Sequence, residues 1–134
     1  MLVNGVFDEA RRLADAGTKV ALFTGGWQMS RDLVERMSQL FFRISVSVDG
    51  ATAEVHDRIR GRQGSYDRAM AALTLLDEAA GDTGAFEFGI DYVAVRSNLD
   101  QIEPMCTTVA PRFGRLNYLS FGAVVPEGLA SREG

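Results

Sequence analysis

Three polar side chains alternate with apolar ones in the segment ISVSVD, residues 44–49. Because successive side chains of a strand point to opposite faces, Ser45, Ser47 and Asp49 would share one face. Hydroxyl and carboxylate groups in such a row can hydrogen-bond a hydroxyl or an amine of a ligand. A strand covered on both faces reads instead as a nearly continuous apolar run. The row therefore indicates either an antiparallel sheet with one wet face or a barrel whose inner face meets a polar ligand.

The elements around this segment decide between these two sheets. Hydrophobic periodicity predicts helices and strands in alternation, with a short helical turn around His56 in one connection. The predicted helices cover residues 3–16, 30–40, 65–76 and 98–109, with Ser30 and Ser65 as caps, and the predicted strands cover residues 19–24, 43–48, 86–95 and 116–125. Their spacing fits right-handed parallel crossovers, which excludes the antiparallel sheet.

A second polar row favours a barrel over an open doubly wound sheet. In the strand predicted at residues 86–95, Glu87, Gly89 and Asp91 share one parity. Four strands do not close a barrel, since a closed eight-stranded barrel takes about 250 residues. The predicted fold class is therefore α/β: an incomplete parallel βα barrel forming one domain over residues 1–134. We expect its polar rows on the concave face and its helices on the convex face.

Composition limits the classes of partner. The chain is 46% hydrophobic and 24% charged, which is typical of a soluble globular domain. A net charge of −4 argues against affinity for nucleic acid or an anionic membrane surface. No apolar run approaches the roughly 20 residues of a membrane span, and no signal-peptide pattern opens the chain. We expect a cytoplasmic protein with a small-molecule ligand.

Few single residues suggest chemistry on their own. The lone Cys106 cannot supply a multi-cysteine metal site, and we expect it half-buried in a helix. For His56 with Asp57 we favour a structural role that pins a loop over acid–base catalysis, because no nucleophile is near in sequence. Asp49 suits ligand binding and turn capping equally. Trp27 either packs under a helix or shields a site.

Parallel α/β folds bind ligands at the carboxyl ends of their strands. The candidate edges here are residues 24–27, 47–50, 96–98 and 126–128, the last together with Gly122. Most of these edges contain glycine, which lets the backbone approach a ligand closely or simply make a tight turn.

Four segments in order resemble the radical S-adenosylmethionine (radical SAM) enzymes, in particular the group that includes molybdenum-cofactor cyclases and peptide and sulfatase maturases. ALFTGG resembles the family strand that ends in Thr-Asn-Gly, with Gly25 in place of the Asn. ISVSVDGATAEVHDRIRG is similar to the family's fourth strand, Ser-x-Asp-Gly followed by His-Asp-x-x-Arg-Gly. GSYDRAMAAL and VRSNLDQIEPM resemble the next helix start and the exit of strand five.

The resemblance implies strands three to six of a six-stranded partial barrel. It implies a lumen in which SAM meets a [4Fe–4S] cluster, receives one electron and yields a radical that abstracts hydrogen from a substrate. By position, Thr24, Gly25, Ser47 and Asp49 would bind the cofactor. The residues expected to line the substrate lumen are Ser45, Glu87, Asp91 and Asn98.

Two family motifs do not occur in the sequence: the cluster-binding C-x-x-x-C-x-x-C and the Gly-Gly-Glu-Pro that holds the cofactor's methionine end. We therefore expect the core of a radical SAM enzyme, truncated or degenerate, that is inactive alone. The alternative is a non-catalytic α/β module that binds a metabolite or a partner, with self-association through open sheet edges. A doubly wound nucleotide-binding domain is a weaker option, since no G-x-G-x-x-G or P-loop follows a strand.

Overall fold

The computed structural model describes residues 4–123. Helices and strands alternate as predicted. The elements are α1 (Asn4–Asp15), β1 (Ala21–Thr24), α2 (Arg31–Leu40), β2 (Arg43–Ser47), α3 (Ala53–Arg60), α4 (Ser65–Thr83), β3 (Glu87–Ala94), an irregular helical segment over residues 96–112, and β4 (Tyr118–Ala123). The candidate edge at residues 126–128 and the last two residues of the final predicted strand lie outside the described residues.

The four strands form one sheet in the order β1-β2-β3-β4, and every neighbouring pair is parallel. This confirms the prediction of four adjacent parallel strands. Each strand lies beside the next one in sequence, so the order contains no switch point of the kind that defines a doubly wound sheet. The arrangement is that of a barrel wall, and it confirms the predicted α/β fold class.

The two faces of the sheet differ as the alternation predicts. Ile44, Val46 and Val48 have no solvent exposure and lie in the hydrophobic core that β2 shares with the helices. In the register of the sheet, Ser45 pairs with Phe23 and Ser47 pairs with Asp91, and these four side chains share the opposite face. Phe23 is 64% exposed there. We call this second face the open face.

Helix starts agree with the sequence at one cap and differ at another. Ser30 caps α2, and its hydroxyl accepts a hydrogen bond from the Leu33 N–H at 3.2 Å. Ser65 was predicted to cap α4, and that prediction is wrong. The cap is Gly64 at φ 86°, and Ser65 is the first helical residue. The reason is Asp57, whose carboxylate accepts from Gly64 N, Ser65 Oγ and Tyr66 N and so takes over the capping role.

The segment that follows β3 is not the continuous helix predicted for residues 98–109. It runs through a 3₁₀ turn, one α turn that ends at Pro104, and a wider π turn over Met105–Val109. Met105 and Val109 take the buried positions of that turn, and Cys106 is exposed. The prediction of a half-buried Cys106 is therefore wrong.

Gly89 makes room for an aromatic ring on the open face. It lies between Ser45 and Tyr118 in the register of the sheet. The ring of Tyr118 occupies the position of a Cβ at residue 89, and its hydroxyl hydrogen-bonds Ser45. Tyr118 therefore lies across β3 and closes the open face at this level.

We expect Gly89→Ala to lower the free energy of unfolding by about 1–3 kcal/mol, because the added methyl group overlaps the ring of Tyr118. Urea denaturation measures this loss. Gly5→Ala is the matched control, since no atom lies within 4 Å of a Cβ built at that helical position. It is expected to raise stability by about 0.5–1 kcal/mol. Wild-type stability in Gly89→Ala would contradict the packing of the ring over β3.

Candidate functional site

A pocket of about 170 Å³ opens where β1 and β2 end and where α3 passes into α4. We call it the strand-end pocket. Its lining residues are Gly25, Trp27, Ser47, His56, Arg60, Arg62 and Ser65. It includes two of the predicted cofactor-binding residues and lies at the edge where parallel α/β folds bind ligands.

Ser47 and Gly25 line the pocket, while Thr24 lies beside it. Ser47 is the last residue of β2, and its hydroxyl makes no hydrogen bond to residues 4–123. Thr24 pairs with Val46, so its side chain lies on the helix side of β1. There its hydroxyl accepts a hydrogen bond from Gly26 N at 3.1 Å. Thr24 therefore shapes the turn, and Ser47 is the residue that presents a free hydroxyl.

The carboxylate of Asp49 is bound by protein groups on both oxygens. Oδ1 accepts from Val93 N at 2.9 Å, and Oδ2 lies 2.8 Å from Arg60 Nε. The side chain is only 5% exposed. Of the two roles expected for Asp49, the structure shows the structural one: it ties the end of β2 to β3 and to α3.

Asn98, in the segment that follows β3, links the same ends of β2 and β3. It is fully buried; its amide nitrogen donates to the carbonyls of Asp49 and Val93, and its oxygen accepts from Val95 N. The hydroxyl of Tyr92 donates to the Asn98 carbonyl at 2.5 Å. Burial raises the pKa of Tyr92 to about 12, so the phenol stays protonated as a donor. Asn98 thus holds the strand ends in position and is not presented to the open face.

His56 faces the strand-end pocket from α3. Its Nδ1 accepts a hydrogen bond from Asp49 N at 2.9 Å, so the neutral ring carries its proton on Nε2. The side chain is 1% exposed, and burial lowers its pKa, against which the charge of Asp49 acts to raise it. This confirms the predicted role of His56 in pinning the loop.

Asp57 does not orient His56, although the two are neighbours in sequence. Its carboxylate binds the start of α4 instead. The backbone hydrogen bond from Tyr66, aided by those from Gly64 and Ser65, lowers the pKa of Asp57. The pair is therefore two separate anchors, His56 for the end of β2 and Asp57 for the start of α4, and not a catalytic dyad.

Arg62 and Trp27 line the strand-end pocket, and the guanidinium of a second arginine, Arg68, also lies over the Trp27 ring. The guanidinium of Arg62 lies 3.4 Å from the centre of the Trp27 ring, and that of Arg68 lies 5.3 Å from it. A guanidinium stacked on an indole keeps its in-plane N–H groups available at its edge. Trp27 therefore lines the strand-end pocket with Arg62 stacked on its ring.

Beyond Trp27, a second cleft of about 260 Å³ extends along the end of β1. Its lining residues are Phe23, Thr24, Gly25, Trp27, Gln28, Met29 and Leu33. Gln28 is the one non-glycine residue with positive φ, 59°, among residues 4–123. Such a conformation is strained for a side chain of this size. We call this space the aromatic cleft; it adjoins the strand-end pocket at Gly25 and Trp27.

Three of the four expected lumen residues have protein partners. Ser45 binds Tyr118, Asn98 is buried in the strand-end junction, and Glu87 forms an ion pair with Arg43 at 2.9 Å. Asp91 makes no side-chain hydrogen bond or ion pair to residues 4–123 and is half-buried on the open face. It lies between Ser47 and Ser120 in the register of the sheet. Asp91 is the lumen candidate with an available carboxylate.

Lowering the pH through the titration range of His56 is expected to destabilise the protein. Because burial lowers the folded-state pKa of His56, the unfolded chain binds the proton first as pH falls below 6.5. The contribution of His56 to the free energy of unfolding is therefore fully present above pH 6.5 and is lost as the pH falls toward the folded-state pKa. Urea midpoints at pH 7.5 and 5.5 measure the loss.

His56 is the only histidine of the chain, so His56→Asn should remove most of this dependence. The carboxamide oxygen of Asn can still accept from Asp49 N, so the variant keeps the contact without the titration. An unchanged pH slope in His56→Asn would contradict the assignment.

Sequence reasoning missed Arg60 and Arg62 as pocket residues. A signal for Arg60 was present, since His56 and Arg60 stand four residues apart and share one face of α3. No comparable signal marks Arg62, whose position depends on the turn that ends α3 at Gly61, φ 69°.

Residues 4–123 contain no group of three or more His, Cys, Asp or Glu side chains that could hold a metal ion. Within that range no helix combines the length and apolar character needed to cross a membrane.

Known proteins resemble this chain over between 45% and 92% of its length. An AdoMet-dependent heme synthase from Methanosarcina barkeri is 36% identical over 124 residues, which cover 92% of this chain and 34% of that protein. A mycofactocin maturase from Mycobacterium tuberculosis is 38% identical over 96 residues, 71% of this chain and 23% of that protein. A subtilosin biosynthesis protein from Bacillus subtilis is 34% identical over 62 residues, 45% and 14% respectively. The chain thus spans at most 34% of the length of these relatives.

The family model described as the Radical SAM superfamily matches residues 2–105, a range that includes β1, β2, β3 and the whole strand-end pocket. The sequential parallel strands are those of the partial barrel that the sequence resemblance implied. The chain therefore belongs to the radical SAM superfamily, whose enzymes use SAM and a [4Fe–4S] cluster to start radical chemistry.

Proposed function

We propose that this chain forms part of the SAM-binding lumen of a radical SAM enzyme of the maturase or cofactor-biosynthesis type, which acts on a peptide, a cofactor precursor or a small molecule. The observation that carries the proposal is the free hydroxyl of Ser47 in the strand-end pocket. The names of the relatives, a heme synthase and a maturase, support the reaction class.

The residues present do not fit an iron–sulfur cluster. Such clusters are held by cysteine thiolates. This chain has one cysteine, Cys106, which is exposed and follows the carboxyl end of β3. Cys106 has no second cysteine to assist it. We propose that cluster ligands come from residues outside this sequence and that the chain is inactive alone, so no step of the reaction is assigned to Cys106.

The residues do fit SAM. The strand-end pocket offers hydrogen-bond donors without protein partners, which suit the hydroxyl and carboxylate oxygens of that molecule. When bound and reduced by one electron, SAM supplies the radical that removes a hydrogen atom from a substrate. Ser47 would bind and orient it, Gly25 would let it approach the backbone, and Trp27 with Arg62 would exclude water from one side. Asp49 would act indirectly by fixing the end of β2.

Asp91 would face the substrate. It lies on β3, which is paired on both sides, so further strands of a complete barrel would lie across the lumen from it. A half-buried carboxylate without a partner favours a hydrogen-bond donor or a positive charge beside it. We propose that a donor group of the substrate takes this position.

Ser47→Ala is expected to weaken SAM binding to the chain about three- to tenfold, the effect of one hydrogen bond between neutral groups. Calorimetric titration measures the affinity. Thr74→Ala, which removes an exposed hydroxyl from α4, is the control and should bind as wild type does. Equal affinity in Ser47→Ala and wild type, with unchanged melting, would mean that Ser47 only shapes the strand end.

The second candidate, a non-catalytic interaction module, is favoured by the two open edges of the sheet. Among the described residues, β1 and β4 each pair on one side only, and Phe23 and Phe121 on these strands are 64% and 44% exposed. Unpaired edges tend to pair with another strand. Sedimentation over a concentration series separates the candidates: edge-driven self-association with no affinity for SAM would favour the module.

A further inference from the structure

The chain's own side chains fill the open face near the amino ends of the strands. Residues paired in register lie side by side, and we call each such set on the open face a level. At the first level, Arg43 donates two hydrogen bonds to the carboxylate of Glu87. At the second level, the Tyr118 ring covers Gly89 and reaches Ser45. The ring is therefore a floor for any ligand that enters from the carboxyl ends of the strands.

Asp91 occupies the next level, two residues or about 7 Å further along β3. It lies between Ser47 and Ser120 in register, and none of these three side chains has a hydrogen-bond partner among residues 4–123. Burial raises the pKa of Tyr118, and the negative charges of Glu87 and Asp91 act in the same direction, so Asp91 is near enough to interact with the floor. The first level above the floor thus presents one carboxylate and two hydroxyls.

Charges on the open face are paired everywhere along β2 and β3 except at Asp91. Three carboxylates follow the polar rows of these strands: Glu87, Asp91 and, just past β2, Asp49. Arg43 pairs with Glu87 at 2.9 Å, and Arg60 pairs with Asp49 at 2.8 Å. Within residues 4–123, no arginine or lysine forms an ion pair with Asp91. A half-buried carboxylate favours a cationic partner, because charge-assisted hydrogen bonds are the stronger ones.

The ring of Tyr118 suits a cation as well. The face of an aromatic ring attracts an ammonium or guanidinium group that lies within about 6 Å of its centre. Arg43, one level below, already shows this attraction, since its guanidinium lies 5.0 Å from the centre of the Tyr118 ring. A cation placed between Asp91 and this ring would meet a carboxylate on one side and an aromatic surface on the other.

We infer that Asp91, Ser120 and the ring of Tyr118 form a subsite for a positively charged amine or guanidinium group of the substrate. The inference deepens the proposed function and rests on it for the statement that the occupant belongs to the substrate. It narrows the substrate class to molecules that carry a basic group. Ser47, on the other side of Asp91, remains the residue proposed for the cofactor.

Nuclear magnetic resonance titration of the chain with n-butylammonium chloride at pH 7.5 tests the subsite. We expect saturable shifts at the amides of Asp91 and Ser120 in the wild type, and none with n-butanol, which has the same alkyl chain without the charge. Asp91→Asn keeps the size of the side chain and should weaken n-butylammonium binding about tenfold. Asp8→Asn removes an equal charge from the exposed surface of α1 and should bind as the wild type does. Absence of saturable n-butylammonium binding in the wild type, or equal loss in both variants, would overturn the inference.

Melting temperatures separate this role of Asp91 from a structural one. No group among residues 4–123 depends on the carboxylate, so Asp91→Asn should melt no lower than the wild type. A lower melting temperature with unchanged n-butylammonium binding would mean that Asp91 serves the fold alone.

Two variants of Tyr118 test the ring. Tyr118→Phe keeps the ring and should bind n-butylammonium within about twofold of wild type, whereas Tyr118→Leu should bind it about threefold more weakly. Equal binding in these two variants would remove the ring from the subsite. Should Tyr118→Leu fail to fold, the two aspartate variants still decide whether a cation binds.

SAM also carries an amine, and calorimetric titration with SAM identifies the source of the cation. If Asp91→Asn weakens n-butylammonium binding and leaves SAM affinity unchanged, the cation belongs to the substrate, as inferred. If Asp91→Asn weakens the binding of both, the cation belongs to the cofactor and the inference is wrong. If the wild type binds n-butylammonium but not SAM, the cation subsite stands and the proposed function fails.

Discussion

Replacing Asn98 with alanine is expected to lower the free energy of unfolding by about 2–4 kcal/mol, because it removes three hydrogen bonds to the backbone in a site with no solvent exposure. The carbonyl of Asp49 would lose that partner in a buried place, and the carbonyl of Val93 and the N–H of Val95 would lose it in half-buried ones. Urea denaturation followed by circular dichroism measures the loss.

Asn117→Ala is the matched control for this variant. Its side-chain oxygen also accepts one backbone N–H, that of Phe88, but Asn117 is exposed at the start of β4. Water can replace that bond, and we expect a loss of about 0.5–1.5 kcal/mol. Equal losses in the two variants would show that Asn98 does not hold the strand ends together.

Replacing Asp49 with alanine is expected to lower the free energy of unfolding by about 2–3 kcal/mol. The change leaves Val93 N–H without its acceptor and Arg60 without its counter-charge in a place where the carboxylate is 5% exposed. We discount the ion-pair part because Arg60 is itself 36% exposed. Asp49→Asn should lose less, since one oxygen can still accept from Val93. Thermal and urea unfolding of both variants separate the contribution of the hydrogen bond to Val93 from that of the ion pair with Arg60.

The control for Asp49 is the ion pair of Arg43 and Glu87, which lies on the open face with both side chains about half exposed. Exposed pairs contribute about 0–1 kcal/mol, so Glu87→Ala should be nearly neutral. If Asp49→Ala were equally neutral but abolished SAM binding, Asp49 would be a ligand-binding residue and its structural role here would be wrong.

The sheet could be predicted from the sequence because its evidence is local. The alternation of Ile44, Val46 and Val48 with polar residues fixes which face of β2 is buried, and the order of elements fixes a parallel sheet. The cap at Ser30 follows from three residues of sequence. Each of these features depends on neighbours along the chain.

The site was only partly predictable because its contacts join distant segments. Asp57 displaces Ser65 as the cap of α4 through hydrogen bonds across seven to nine residues. Arg62 meets Trp27 through a turn whose direction depends on glycine at positive φ. Likewise the difference between a free Asp91 and a paired Glu87 depends on what the neighbouring strand carries at the same level. Spacing identifies such residues as candidates, and only the packed structure shows which polar groups are already bound.

Mapping of backbone amide shifts during a titration with SAM tests whether the carboxyl ends of β1 and β2 bind it. We expect saturable shifts at Gly25, at residues 47–50 and at residues 60–65, with the amides of α1 unchanged. Shifts confined to the groove between α2 and α4, around Val34 and Leu75, or no saturable shift in a folded chain, would contradict it.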